Sequence, residues 1–339
     1  MLNPEAKLSA KIFIPDIEQK PTRSGYGDGL LAAGEADPNV VALCADLTES
    51  TYAHLFAKKF PERFFQVGVA EQNMATIASG LGVSGKIPFI SSYATFSPGR
   101  NWEQIRTTIC YNDRPVKIAG SHAGVSVGPD GGTHQAVEDI ALMRVLPNMQ
   151  VLSPCDALEA RKATIAAAKT KTPTYIRLAR EKTPIITTEE TPFEIGKAQV
   201  FYRSTIQDSG FKKRVGIIGT GGLLHKALVA AKELENDGIA VTVLNLSTIK
   251  PLDEEAIVAL AKECGRIVTV EEHQIAGGMG SAVAEVLARK LPIPLEFIGV
   301  HDRFGQSGKP DEIVEHYGMG ISAIKAAVMK MVAFAPHTS

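Results

Sequence analysis

A chain of 339 residues with 45% hydrophobic and 22% charged side chains is long enough for two ordinary domains and buries a sizeable core without staples. Its 36 Lys plus Arg balance 37 Asp plus Glu, so no net field attracts a nucleic-acid backbone or an anionic membrane, and any anion must be caught by locally placed cations. The four cysteines, Cys44, Cys110, Cys155 and Cys264, are scattered without a C-x-x-C pair, which fits neither a disulfide framework nor a zinc site and points to a reducing cytoplasm.

Residues 1–20, MLNPEAKLSAKIFIPDIEQK, lack the apolar core of a signal peptide and read as a tail that drapes over something. No apolar run elsewhere is long enough to cross a bilayer. Over residues 21–185, short β-branched runs (VVALCAD from Val40, FFQVGV from Phe64, KIPFISS from Lys86, PVKIAG from Pro115, MQVLSP from Met149, TYIRLA from Thr174) alternate with helical stretches. That rhythm predicts a parallel sheet wrapped by helices. Ser153, Pro154 and Asp156 predict an N-cap, a first-turn proline and an acidic third position before ALEARKATIAAAK, whose small residues suit close packing. EKTPIITTEETPFEIG reads as an exposed connection, residues 186–213 as linker and start of a second core, and YRSTIQDSGFKK as a polar hairpin loop. Over 214–335, RVGIIGTGG, AVTVLNLS, GRIVTVEEH and PLEFIGV predict buried strands. The helices between them end at Gly238 and Gly265, and Ile257, Leu260 and Ala261 form the buried face of the second. The predicted fold class is α/β, as two three-layer α/β/α domains.

Within the first domain, Glu71 opens a helix in VGVAEQNMATIASGLG whose apolar residues Met74, Ile77, Ala78 and Leu81 recur at helical spacing, which places the carboxylate at a buried helix end. Two readings stand: a helix-start glutamate stabilised by the dipole, or an acid that shares a proton with a ligand. Tyr93, Phe96 and Arg100 in SSYATFSPGR follow a strand end, where an aromatic packs into the core or stacks on a ligand. In GPDGGTHQ, Gly128, Gly131 and Gly132 predict a sharp turn that brings His134 beside Asp130, downstream of His122. Arg23 near the start of the first helix and Arg180 past the last strand are expected to converge at one sheet edge, where open α/β folds bind ligands. GDG at Gly27 lies inside a helical pattern with no suitably spaced asparagine, and GTGGLLH at Gly219 has Leu224 in place of a third glycine, so neither is given a ligand role.

On TRSGYGDGLL from Thr22, VGVAEQN, GSHAGVSVGPDGGTHQAVEDIA, LPNMQVLSP, EEHQIAGGMG and HDRFGQSG, the chain resembles the thiamine-diphosphate transketolases over nearly its whole length. The resemblance implies a thiamine-diphosphate pyrimidine-binding domain over 21–185 and a transketolase C-terminal domain over 214–335. It implies that Glu71 hydrogen-bonds the 1′ ring nitrogen of the aminopyrimidine and drives it to the imino tautomer that deprotonates the thiazolium carbon. Phe96, with Tyr93 beside it, would stack on that ring, Asp46 and Leu47 would line the cofactor, and Arg100 sits one residue off its place in some relatives. Catalytic roles fall to Glu71 and His134. Substrate binding falls to Arg23, Ser50, His122, Asp130, His134 and Arg180, of which Arg23, Ser50, His122 and Arg180 would hold phosphate. His273, His301 and Arg303 read as structural or interface residues.

The domain that holds the diphosphate through Mg2+ is missing from the resemblance. This implies no metal ligands here and a separate N-terminal transketolase subunit carrying them, in a heterotetramer of two heterodimers. The implied reaction passes a two-carbon glycolaldehyde unit from a ketose phosphate to an aldose phosphate. Pentose-phosphate shuttling is the default, and a specialised ketose such as apulose 4-phosphate the variant. A 1-deoxyxylulose-5-phosphate synthase-like chain and a 2-oxo acid dehydrogenase beta-like subunit rank lower, since the first lacks a histidine at the place of His122 and the second lacks the His122 and His134 pair. A non-catalytic regulatory or structural partner is a further alternative, against which stands the joint presence of Glu71, Asp130, His134 and Arg180.

Overall fold

The computed structural model describes residues 1–206 and 214–334. After β1 (Gln19–Pro21), the first half runs α1 (Thr22–Ala36), β2 (Val40–Cys44), α2 (His54–Lys59), β3 (Phe64–Gln66), α3 (Glu71–Val83) and β4 (Ile87–Tyr93). It continues through α4 (Trp102–Gln104), prolonged as a π-helix over Ile105–Cys110, then β5 (Lys117–Ser121), α5 (Asp139–Arg144), β6 (Gln150–Leu152), α6 (Ala157–Ala168) and β7 (Thr174–Arg177). Strands β3, β2, β4, β5, β7 and β6 lie side by side in that order, all parallel. β2, β5 and β7 are buried along their whole length, as expected of a parallel sheet covered on both faces. Tyr26, Leu30, Phe56, Ala160 and Ala163 of α1, α2 and α6 cover one face. Met74, Ala78, Ile105, Ile109 and Met143 of α3, the π-helix and α5 cover the other.

β8 (Lys182–Pro184) pairs antiparallel with β1. The second half then runs β9 (Gln199–Arg203), β10 (Arg214–Gly219), α7 (Leu224–Asn236), β11 (Ala240–Asn245), β12 (Thr248–Lys250), α8 (Glu254–Cys264), β13 (Ile267–Gln274), α9 (Met279–Lys290), β14 (Leu295–Val300), α10 (Pro310–His316) and α11 (Ile321–Ala333). Its sheet has the order β14, β13, β10, β11, β9, antiparallel only at the β9 edge. Ile257, Leu260 and Ala261 are the buried face of α8, joined by Cys264, and Gly265 ends that helix in the left-handed conformation at φ 69°. Leu260, Val283 and Leu287 of α8 and α9 share one apolar cluster with α3 and the π-helix, so the core is continuous between the two halves.

Close approach of α1 and α6 depends on glycine. A Cβ at Gly25 would lie 1.8 Å from the Ala157 carbonyl oxygen, and one at Gly29 would lie 2.7 Å from Thr164 Cβ. Gly27, first residue of the GDG triplet, fits against Tyr52 in the same way, so two of the triplet's residues serve packing. We expect Gly25→Ala to lower stability by about 3 kcal/mol, the upper end for overpacking because the opposing atoms are backbone. A urea midpoint within error of wild type would refute this.

Four local expectations change, and the tail finds the surface over which it drapes. The cap of α6 is Asp156, not Ser153: its Oδ1 accepts from the Glu159 amide at 2.8 Å and its Oδ2 from the Ile186 and Thr187 amides at 2.8 and 2.6 Å. Those bonds pin the connection at 181–196, whose residues Ile186, Thr187 and Thr191 are buried rather than exposed. The strands flanking YRSTIQDSGFKK do not form a hairpin, because β11 lies between β9 and β10; residues 207–213 of that loop fall outside the described residues. β12 leaves the second half and pairs antiparallel with β6, as the seventh strand of the first sheet. The tail packs on the second half: the Asn3 amide donates to Phe201 O at 2.9 Å, and Ile12 is fully buried beside α7.

Candidate active site

Because β2, β4, β5 and β7 run parallel, the residues beyond their carboxyl ends gather at one edge of the sheet. Tyr93, the last residue of β4, and Asp46, His122 and Arg180, beyond the ends of β2, β5 and β7, stand at that edge. Asp46, Tyr52 and His122 are there in the left-handed region at φ 61°, 64° and 58°, a conformation that side chains other than glycine rarely adopt and that concentrates at functional sites.

Glu71 is the first residue of α3 and 1% exposed. Its Oε2 accepts from Arg100 Nη1 at 2.9 Å, its Oε1 from Ser92 Oγ at 3.2 Å, and its carbonyl from Asn101 Nδ2 at 3.0 Å. The guanidinium of Arg100 also lies 4.7 Å from the centre of the Phe96 ring, so one cation bridges the carboxylate and the aromatic group. Around it the rings converge: Tyr93 stacks on His122 at 3.7 Å between centroids and on Phe96 at 6.0 Å, and His134 meets Phe96 edge-on at 5.5 Å.

His122 Nδ1 is 2.8 Å from Ser121 Oγ. Burial, reinforced by the positive charges of Arg23 and Arg180, pushes His122 down to about 3, which keeps its imidazole neutral at physiological pH. Arg23 Nε donates to Arg180 O at 3.1 Å and its Nη1 to Ser50 O at 2.6 Å, while Arg180 Nη1 donates to Val127 O at 2.9 Å and to Glu181 Oε1 at 2.6 Å. Both guanidiniums thus stand over the same edge: Arg23 is held by backbone carbonyls, which leave most of its charge uncompensated, whereas Arg180 is also paired with the half-exposed Glu181 carboxylate.

The structure therefore brings Glu71, Tyr93, Phe96, Arg100, His122 and His134 into one cluster, and Arg23, Ser50 and Arg180 into an adjoining cationic one. Ser50 joins through its carbonyl, not through its hydroxyl. Asp46 and Leu47 lie at the end of β2, where the Asp46 amide donates to Gln66 Oε1 at 2.7 Å. Asp130 is exposed in a short 3-10 turn, Gly128–Asp130, and among the described residues its side chain has no hydrogen-bond partner. Sequence reasoning missed Ser92, Asn101 and Gln66. The two-residue alternation of β4 could have found Ser92, which faces α3 because Tyr93 faces away. Nothing in the sequence marks Asn101 or Gln66. Among the described residues no group of three His, Cys, Asp or Glu side chains could hold a metal ion, and no helix is long and apolar enough to cross a membrane.

Two family models match the chain: the transketolase pyrimidine binding domain over residues 18–185 and the transketolase C-terminal domain over residues 205–324. A protein of Methanocaldococcus jannaschii named as a transketolase C-terminal section is 44% identical over 314 residues, covering 92% of this chain and 96% of that protein. The chain belongs to the transketolase family. Another transketolase-family relative, the 6-deoxy-6-sulfo-D-fructose transketolase subunit SqwH of a Clostridium species, is 38% identical over 93% of this chain and 95% of its own length. A solved split gene transketolase, described as an inactive beta4 tetramer, superimposes with a TM-score of 0.84 at 46% identity, over 92% of this chain and 98% of that one. Against human transketolase, 37% identical, the chain spans about half the length, 49%.

Proposed function

We propose that this chain is the C-terminal subunit of a split, thiamine-diphosphate-dependent transketolase. Residues 21–185 form its pyrimidine-binding domain and 214–335 its C-terminal domain, and it works with a partner subunit that supplies the diphosphate and magnesium ligands, as a pair of heterodimers. The observation that carries this reading is the Glu71 carboxylate, shielded from water at a helix start beside the Phe96 and Tyr93 rings. A buried acceptor next to an aromatic face fits a flat, basic heteroaromatic ring, as the aminopyrimidine is. Likeness along nearly the full length of a C-terminal section and of a split-gene chain supports the need for a partner. Four buried free cysteines support a reducing, cytoplasmic setting.

When bound, thiamine diphosphate supplies the electron sink for the two-carbon unit. The chain's own residues do the rest. Glu71 holds a proton at the ring nitrogen, and Phe96 and Tyr93 keep water from the ring's face. His134, its Nδ1 held by Thr133 Oγ at 2.9 Å, turns its other nitrogen to the substrate oxygen that gains charge. Neutral His122 donates an N–H from beside the cations. Arg23 and Arg180 take the anionic end of the sugar, and the same pair suits a phosphate or a sulfonate. The donor is thus an anionic ketose and the acceptor an aldose phosphate.

The test is ketol transfer with thiamine diphosphate, Mg2+ and glyceraldehyde 3-phosphate, using this chain alone and mixed with the candidate N-terminal subunit from the same genome. Donors are xylulose 5-phosphate, apulose 4-phosphate and 6-deoxy-6-sulfofructose. Activity in the mixture alone is the expected result; activity of the chain by itself, or none with any donor in a folded complex that binds cofactor, overturns the proposal. In the active mixture, Arg23→Met should raise the donor KM by about two orders of magnitude, the scale of an unpaired charge contact, with the cofactor KM nearly unchanged. An equal rise in both would remove Arg23 from the anion site.

A further inference from the structure

The turn that bears His134 is held from the second half of the chain. Glu272 on β13 is buried, and its Oε1 accepts from the Ser126 amide at 2.6 Å. A Cβ at Gly124, which has φ 86°, would lie 2.3 Å from that same oxygen, so only glycine allows the carboxylate so near the base of the turn. Glu272 is itself held, because Arg177 Nη2 donates to its carbonyl at 2.8 Å. On the far side, the segment HDRFGQSG lies along the turn. Gln135 Nε2 donates at once to Val125 O at 2.7 Å and to Gln306 O at 3.0 Å. A Cβ on Gly132 would lie 2.7 Å from Gly305 O, one on Gly131 2.4 Å from Ser307 Oγ, and one on Gly305 1.7 Å from Gln135 Oε1.

We propose that Glu272 and the Gly305–Ser307 loop are positioning residues for the substrate: they fix the Gly124–Gln135 turn and thereby set where His134 stands against Phe96. Among the described residues, the hydrogen bonds left to the turn without them are that of Arg180 to Val127 O and its own internal bonds. The Glu272 tether ends on the Ser126 amide, and the Gln135 side chain ties Gln306 O to Val125 O, so both bear on the backbone path of the turn. Glu71, Phe96 and Tyr93 sit on other elements, so loosening the turn separates substrate binding from cofactor binding. This deepens the transketolase reading of the site and rests on it for the kinetic arm alone.

The experiment compares wild type, Glu272→Ala, Glu272→Gln and Gly305→Ala in the full chain with its partner subunit. Hydrogen–deuterium exchange is read over residues 124–135 and, as control, over α3 and β4. We expect Glu272→Ala and Gly305→Ala to speed exchange in the turn about tenfold, the equivalent of one charged hydrogen bond, with the control segments unchanged. Glu272→Gln, which keeps an acceptor oxygen, should restore the wild-type rate. In the ketol-transfer assay the donor KM should rise by a similar factor while the thiamine diphosphate KM stays level. Unchanged exchange in the turn, or a rise spread evenly over turn and controls, overturns the proposal. The exchange result stands whether or not the pair transfers ketol units, so failure of the functional reading is told apart from failure of the clamp.

Discussion

Glu71→Gln is expected to cut ketol transfer by the reconstituted pair about a thousandfold, within the range of a lost general acid–base group. Glutamine keeps the size of the side chain and one acceptor oxygen for Ser92 Oγ, but it can neither take up nor share a proton. The fold should survive. Arg100, the cation that loses its partner, is 48% exposed at its side chain, so water replaces the ion pair at a cost within about 1 kcal/mol. The measurement is kcat in the presence of saturating thiamine diphosphate, with calorimetric titration of the cofactor alongside. Retention of more than a small fraction of wild-type kcat would mean that proton transfer to the ring nitrogen does not pass through this carboxylate.

The second large effect concerns stability. Arg177 and Asp139 are both buried, joined by Nε to Oδ2 at 2.8 Å and Nη2 to Oδ1 at 3.2 Å, and Tyr175 donates its hydroxyl to the same Oδ2 at 2.7 Å. Removing one charge leaves the other without compensation, and Asp139→Asn should cost about 3–5 kcal/mol. The sign of its pH dependence follows from the carboxyl. Burial pushes Asp139 up, but the Arg177 guanidinium outweighs it and holds the group below the usual carboxylate range. The unfolded chain therefore binds this proton at higher pH than the folded one, so the contribution is complete above the unfolded value of about 4 and is lost as pH falls through the folded one. Denaturant unfolding of wild type and variant at pH 7 and at pH 3.5 reads this directly: the gap between them should narrow at the lower pH. A constant gap would show that the stabilisation does not come from the ionised pair.

Much of this was legible because parallel strands announce themselves. The runs at Val40, Ile87, Lys117 and Thr174 are β-branched and apolar, and their carboxyl ends must share an edge, so Tyr93, His122 and Arg180 could be placed together before any coordinates existed. Glu71 was legible for a related reason, since the spacing of Met74 and Ala78 fixes which side of its helix is buried. What stayed hidden depends on pairings between distant polar atoms. Asp156 displaces Ser153 as the cap because amides thirty residues later, at Ile186 and Thr187, find the same carboxylate, and local spacing does not record that. The bond from Arg100 to Glu71 is likewise tertiary: the loop between them sets its length. Gly128 and Gly131 give the chain around Asp130 the freedom to bend without the direction, so the string alone does not record that the Asp130 side chain is exposed.

Strand β12 has a consequence for how this protein can be cut. It is drawn from the second half of the chain yet forms the outermost strand of the first sheet, where it covers the backbone donors and acceptors of β6. A fragment stopped near residue 185 would leave that row of amides and carbonyls bare, a template for edge-to-edge association. The first domain is therefore not a portable module, and chimeras that exchange the C-terminal half must carry Thr248–Lys250 across with the recipient sheet or accept aggregation in its place.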